Sequence, residues 1–175
     1  MPHIIVTPLS RLAETATRSG ARDMVTLINM GTPVERPVEI TEARHLFLGF
    51  NDIVEPADGM TPPGIDHVHS LIAFGQKWDR QTPLLVHCYA GISRSTAGAY
   101  ITALALNPEL DETLLAQTLR RNAPSATPNS RLIALADDIL GRKGRMVDAI
   151  KAIGRGEEAF EGTPFSLPLV VIQPR

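Results

Sequence analysis

The hydrophobic residues of this chain occur in two kinds of segment: short apolar runs, and longer segments in which apolar residues recur with helical spacing. The short runs predict β-strands over residues 3–6, 24–28, 45–50 and 83–86. The longer segments predict helices over residues 8–18, 65–78, 95–106, 109–122, 128–140 and 146–153, with Thr127 as the N-cap of the helix at 128–140. Strand, helix and strand at this spacing indicate crossovers in a parallel sheet. The pattern therefore predicts an α/β fold with a central, mostly parallel, twisted sheet of four to five strands flanked by helices.

The 175 residues are enough for one well-buried domain and too few for two ordinary ones. We assign residues 1–154 to this domain and residues 155–175 to a tail rich in proline and glycine. The tail also carries several large apolar residues, so we expect it to pack along the domain as an extended segment.

Two connections stand out for their composition. Residues 51–64 form a loop dense in glycine and proline after the third predicted strand, and a loop this long in a small domain is usually functional. The second connection follows the apolar run 83–86 and reads His87-Cys88-Tyr89-Ala90-Gly91-Ile92-Ser93-Arg94-Ser95. It leads directly into a segment apolar enough to be a buried helix, so it joins a central strand to that helix.

This second connection has the composition of an anion-binding loop. The backbone N–H groups from Tyr89 to Arg94 can converge on one point, and the first turn of the following helix adds its free N–H groups and the positive end of its dipole. Gly91 permits a positive φ or a close approach of the main chain. Arg94 provides a planar fork that can hold two phosphate oxygens. In this field Cys88 is expected to be a thiolate near neutral pH.

The residues His87, Cys88, Gly91, Arg94 and Ser95 resemble the His-Cys-x5-Arg-Ser signature of the cysteine-dependent protein-tyrosine and dual-specificity phosphatases. The chain resembles the compact dual-specificity catalytic domain over roughly residues 20–142, and Arg121, Pro128 and Asn129 resemble the stretch before the last helix of that family. The resemblance implies that Cys88 is the nucleophile and that Arg94 and the loop residues Tyr89, Ala90, Gly91, Ile92 and Ser93 bind the phosphate.

The resemblance also implies an aspartic acid that protonates the leaving group, on a loop upstream of the cysteine. Asp52, Asp58 and Asp66 precede Cys88 by 36, 30 and 22 residues. Strand geometry favours Asp52, because it follows the third predicted strand at the sheet edge where Cys88 emerges. Asp58 is followed by a glycine and is more typical of a turn, although it stays the second candidate. Asp66 is expected to begin the next helix.

Two further residues have alternative roles. The hydroxyl of Ser95 either assists Cys88 as the leaving group of a second step or caps the helix. His87 either tunes the thiolate through the backbone or is a buried histidine with satisfied hydrogen bonds. His67 and His69 diverge on a helix, so we predict no metal site there, and no cofactor is implied.

Composition excludes several classes of partner. The net charge of −2 argues against general nucleic-acid binding, and no apolar run is long enough to cross a membrane. The single cysteine rules out an internal disulfide, and the first residues lack the features of a signal peptide, so we expect a reducing, cytoplasmic location.

These observations predict a metal-independent phosphomonoester hydrolase acting on phosphotyrosine in proteins or peptides, with phosphoserine and phosphothreonine as further substrates. One alternative is a phosphoinositide or RNA phosphatase on the same scaffold. Arg94 is the only cation of the loop, which favours a singly phosphorylated substrate. The other alternative is a phosphate-binding module without turnover.

Overall fold

The computed structural model describes residues 1–171, which form a five-stranded sheet with helices on both faces. The strands are β1 (His3–Thr7), β2 (Asp23–Ile28), β3 (His45–Gly49), β4 (Leu84–His87) and β5 (Phe165–Pro168), in the order β3-β2-β4-β1-β5. The first four are parallel, and β5 adds antiparallel to β1. The predicted fold class, an α/β domain around a mostly parallel sheet, is confirmed.

The helices are α1 (Leu12–Ser19), α2 (Ile65–Lys77), α3 (Arg94–Leu106), α4 (Glu112–Asn122), α5 (Ser130–Ile139) and α6 (Arg145–Ile153). Successive side chains of a strand point to opposite faces, so β4 contributes to two cores. Leu84 and Val86 belong to the larger core with α2–α6, whereas Leu85 packs with α1. None of the helices within residues 1–171 is long and apolar enough to span a membrane.

Helix α3 lies at the centre of the larger layer and is buried on all sides from Arg94 to Leu104. Small residues let it approach the sheet closely, since a Cβ at Gly98 would lie 2.6 Å from the Leu27 side chain on β2. Because α3 is held against β2 and β4 in this way, its N-terminus stays at the carboxyl end of β4, where Cys88 emerges.

The predicted N-cap of α5 is wrong. The helix begins at Ser130, and its N-cap is Asn129, whose Oδ1 accepts a hydrogen bond of 3.0 Å from the Leu132 N–H. Thr127 instead makes hydrogen bonds to residues that are distant in the sequence. Its N–H donates to the Ile92 carbonyl at 2.9 Å, and its hydroxyl oxygen accepts from the Gly156 N–H at 3.1 Å.

The tail from residue 155 onwards crosses the Cys88–Ser95 connection before it enters the sheet. The Glu157 N–H donates to the Pro124 carbonyl at 2.9 Å, and the Gly162 N–H donates to the Ala90 carbonyl at 2.7 Å. The tail then forms β5, a strand that the apolar pattern did not identify. Residues 172–175 of the predicted tail lie outside the described residues.

Candidate active site

The connection between β4 and α3 is shaped by hydrogen bonds to its carbonyl groups from other parts of the chain. Four backbone N–H groups donate hydrogen bonds to these carbonyls. The bonds run from Leu9 to Tyr89 (3.0 Å), Gly162 to Ala90 (2.7 Å), Thr127 to Ile92 (2.9 Å) and Asn129 to Ser93 (3.2 Å). A peptide N–H points away from the carbonyl of the same unit. The amides that follow these carbonyls therefore turn towards the inside of the loop and form a concave set of donors.

Gly91 allows this loop to close. Its φ is +70°, and a Cβ at this position would lie 2.8 Å from the backbone nitrogen of Pro8. Any other residue would be both strained and in contact with the segment after β1. The N–H of Gly91 instead donates to Sγ of Cys88 at 3.3 Å.

Cys88 lies at the base of the loop and is 2% exposed. Its Sγ lies 3.1 Å from Oγ of Ser95 in the first turn of α3. Ser93, not Ser95, occupies the N-cap position of α3, and that position has no side-chain cap. The Ser95 hydroxyl is therefore available to the sulfur, where it and the Gly91 amide can stabilise a thiolate.

Arg94 is 7% exposed and reaches the carboxyl ends of two other strands. Its Nη1 donates to Oδ1 of Asn29 at 2.6 Å and to the carbonyl of Phe50 at 2.8 Å, and these residues follow β2 and β3. Its Nε is buried and has no partner among residues 1–171. A buried donor without an acceptor is costly, and an oxyanion held in the loop would supply the acceptor.

Asp52 is the candidate acid that the structure joins to this loop. Its Oδ1 accepts from Oγ of Ser93 at 2.8 Å and from Nδ2 of Asn129 at 2.9 Å. Asp58 lies in an exposed turn closed by a bond from the Met60 N–H to the Ala57 carbonyl, and Asp66 lies in the first turn of α2.

A cleft of about 760 Å³ opens beside the loop. Asp52, Ile92 and Ser93 line one side of it, and residues 155–160 of the tail line the other. This cleft leaves room for a ligand between loop 88–95 and the tail.

Solved structures similar to this chain include phosphatases and a phosphatase-like protein. Human DUSP28 matches with a TM-score of 0.59 at 18% identity, covering 79% of this chain and 92% of that chain. A human tyrosine phosphatase-like serine/threonine/tyrosine-interacting protein matches with a TM-score of 0.60 at 15% identity, covering 79% and 91%. PTPMT1 in complex with PI(5)P matches with a TM-score of 0.56 at 12% identity, covering 84% and 90%.

The chain has the dual-specificity phosphatase fold. Comparison with protein-family models gives no match, and comparison with curated proteins gives none either. The likeness therefore lies in the three-dimensional arrangement of the chain.

His87, directly before loop 88–95, is fully buried, and burial lowers its pKa to about 4. Its Nδ1 lies 3.0 Å from the Cys88 carbonyl, which can only accept, so Nδ1 carries the proton. Nε2 of the neutral ring then accepts from the Thr26 hydroxyl at 2.7 Å. That hydroxyl oxygen is also 2.7 Å from Nε2 of His45, which must donate. This ordered chain of hydrogen bonds fixes the peptide carbonyl at Cys88.

His67, one of the two histidines considered above for a metal pair, has other partners. Nδ1 of His67 accepts from the Gly64 N–H at 3.0 Å at the start of α2, and its ring packs on Phe50 with centroids 4.8 Å apart. The described residues contain no group of three His, Cys, Asp or Glu side chains arranged to hold a metal ion.

The sequence analysis missed the supporting residues of the phosphatase fold. Asn29 contacts Arg94, Thr26 contacts His87, and Asn129 was noted only as part of a family-like stretch, without its bond to Asp52. A signal for Asn29 was present, because it directly follows a strand predicted to end at the edge where Cys88 emerges. Thr26, within an apolar strand, gave no such signal.

Proposed function

We propose that this protein is a cysteine-dependent phosphatase that hydrolyses phosphotyrosine in proteins or peptides, with phosphoserine and phosphothreonine as further substrates. One observation carries the proposal. The sulfur of Cys88 lies at the base of a loop whose amides turn inward, with the Ser95 hydroxyl at 3.1 Å and a buried, unpartnered Arg94 Nε. A nucleophile surrounded by donors suits a tetrahedral dianion that must be attacked at its centre.

In the first step the Cys88 thiolate attacks phosphorus, the S–P bond forms and the ester P–O bond breaks. Asp52 donates its proton to the leaving oxygen, which would otherwise depart as a poor leaving group. In the second step water attacks phosphorus, Asp52 as carboxylate takes a proton from that water, and the S–P bond breaks. The Ser95 hydroxyl stabilises the departing thiolate. Arg94 and the loop amides balance the charge of the equatorial oxygens, so these steps need no metal ion.

The variable positions of the loop favour a singly phosphorylated substrate. They are Tyr89, Ala90, Ile92 and Ser93, and none is a cation that would hold a second phosphate. The fold is nonetheless similar to that of PTPMT1 in complex with PI(5)P, which makes a phosphoinositide the second candidate substrate. A panel of phosphopeptides and inositol lipids separates the two by kcat/KM, and we expect the phosphopeptides to be preferred.

The test is turnover of 4-nitrophenyl phosphate in excess chelator. We expect the wild-type protein to release phosphate, Cys88→Ser to release none, and mass spectrometry of a quenched reaction to show a phosphate adduct on the peptide that contains Cys88. Activity retained in Cys88→Ser would contradict the assignment. Tight phosphopeptide binding by the wild-type protein without phosphate release would identify a binding module instead.

A further inference from the structure

The guanidinium of Arg94 is held on one side by Asn29, the residue directly after β2. Nη1 donates to Oδ1 of Asn29 at 2.6 Å and to the Phe50 carbonyl at 2.8 Å. The atom of Asn29 that faces Nη1 must be its oxygen, because an amide NH₂ could not accept. These two bonds use both hydrogens of Nη1.

The two acceptors determine which edge of the guanidinium remains for a ligand. With Nη1 engaged, the remaining edge consists of Nε and Nη2, the pair that binds two oxygens of one anion side by side. Nε is buried and has no partner among residues 1–171. The unpaired donor, Nε, therefore lies on the edge of the Arg94 guanidinium that faces away from Asn29.

We propose that Asn29 is a positioning residue that directs the Nε–Nη2 edge of Arg94 at the phosphate. This inference rests on the proposed function. The Phe50 acceptor is a main-chain carbonyl that no side-chain substitution removes, so Asn29 is the side chain through which this orientation can be changed.

The test uses Asn29→Ala, which removes the acceptor, and Asn29→Asp, which keeps an oxygen at the same place. Asn107→Ala is the matched control, because the Asn107 side chain also makes a long-range hydrogen bond, to the Leu169 carbonyl at 3.3 Å, but at the far end of α3. Each variant is measured for kcat and KM with 4-nitrophenyl phosphate against pH. In the Cys88→Ser background, calorimetry gives the Kd of inorganic phosphate.

We expect Asn29→Ala to lower kcat/KM and to weaken phosphate binding, each by roughly ten- to hundredfold, because a misplaced Arg94 guanidinium no longer meets the phosphate oxygens in the right geometry. The shape of its pH profile should stay that of the wild type. Asn29→Asp should lie closer to the wild type than Asn29→Ala does, and Asn107→Ala should match the wild type.

Two results would overturn the proposal: Asn29→Ala within twofold of the wild type in both measurements, or Asn29→Asp weaker than Asn29→Ala. The second would mean that charge near residue 29, not orientation of Arg94, governs anion binding. If the wild-type protein shows no phosphatase activity, the proposed function fails, but phosphate binding by the Cys88→Ser proteins still decides the role of Asn29.

Discussion

Asp52 and Ser93, separated by 41 positions in the chain, are joined by a hydrogen bond of 2.8 Å from the serine hydroxyl to the carboxylate Oδ1. Ser93 belongs to the loop around Cys88, whereas Asp52 belongs to the loop after β3. The bond places the candidate acid beside loop 88–95 and leaves the Oδ2 of Asp52 for a proton. Asn129 donates to the same Oδ1, so the orientation of the carboxylate is set from two directions.

Replacing Asp52 should slow the first chemical step. Asp52→Ala removes the proton donor for the leaving oxygen, and we expect kcat with an alkyl or peptide phosphate to fall by ~10²–10⁴-fold. The loss should be smaller with 4-nitrophenyl phosphate, whose leaving group needs little protonation. Asp58→Ala is the matched control and should keep wild-type kcat. A large loss in Asp58→Ala, with none in Asp52→Ala, would make Asp58 the acid.

Replacing Asn129 by serine should lower activity while leaving stability nearly unchanged. Its Oδ1 caps α5, and its Nδ2 donates to Asp52. Serine is as good an N-cap as asparagine but has no amide to reach Asp52, so Asn129→Ser should keep the free energy of unfolding within about 1 kcal/mol. We expect its kcat to fall about tenfold because the carboxylate loses one of its two donors. Urea unfolding and steady-state kinetics on the same preparation test this, and a parallel loss of both quantities would contradict it.

Ser95 should matter most in the second chemical step, in which water attacks phosphorus and the S–P bond to Cys88 breaks. Ser95→Ala removes the hydroxyl that lies 3.1 Å from the sulfur, so the thiolate becomes a poorer leaving group. Loss of a hydrogen bond to a charged group predicts a fall in kcat of roughly ten- to hundredfold. A burst of 4-nitrophenol should then precede slow turnover in rapid-mixing experiments.

The control for Ser95→Ala is Thr102→Ala, which removes another buried hydroxyl of α3, one bonded to the Gly98 carbonyl at 2.8 Å. It should show no burst. Absence of a burst in Ser95→Ala, with a uniformly slower first step, would assign the hydroxyl to nucleophile activation instead.

His87 should make stability depend on pH below neutrality. Its pKa is about 4 in the folded protein and 6.5 when unperturbed, because burial disfavours the charged ring. Between these values the unfolded state binds more protons, so stability rises with pH there and is fully present above pH 6.5. Acidification to pH 4 should remove a contribution of the order of 3 kcal/mol.

The measurement is the free energy of unfolding in urea from pH 4 to 7. His87→Asn can still donate to the Cys88 carbonyl but does not titrate, so its stability should change less steeply with pH than that of the wild-type protein. Parallel curves for the two proteins would show that His87 does not carry the effect.

The strand and helix pattern was largely predictable because most elements have a local cause. β2 and β4 are short, fully buried segments in which most residues are apolar, and α1 ends at Ser19 before Gly20, which adopts a φ of +69° as expected for a helix stop. The start of α5 was misplaced because Thr127 and Asn129 are both good caps locally. The choice between them is made by the partners of Thr127, Ile92 and Gly156, which lie far away in the sequence.

The sequence by itself predicted an anion-binding loop with Cys88 and Arg94, because the residues that form this loop are consecutive and their spacing is the signal. Only the tertiary structure decided what holds the loop in place. Thr26 and Asn29 of the β2 segment, Asn129 before α5, and the tail reach it from three separate parts of the chain, through hydrogen bonds whose partners no local pattern specifies. The short-range pattern of apolar residues encodes the strands and helices and their order. The hydrogen bonds that hold the loop depend instead on how the ends of β2, β3 and β4 meet at one edge of the sheet.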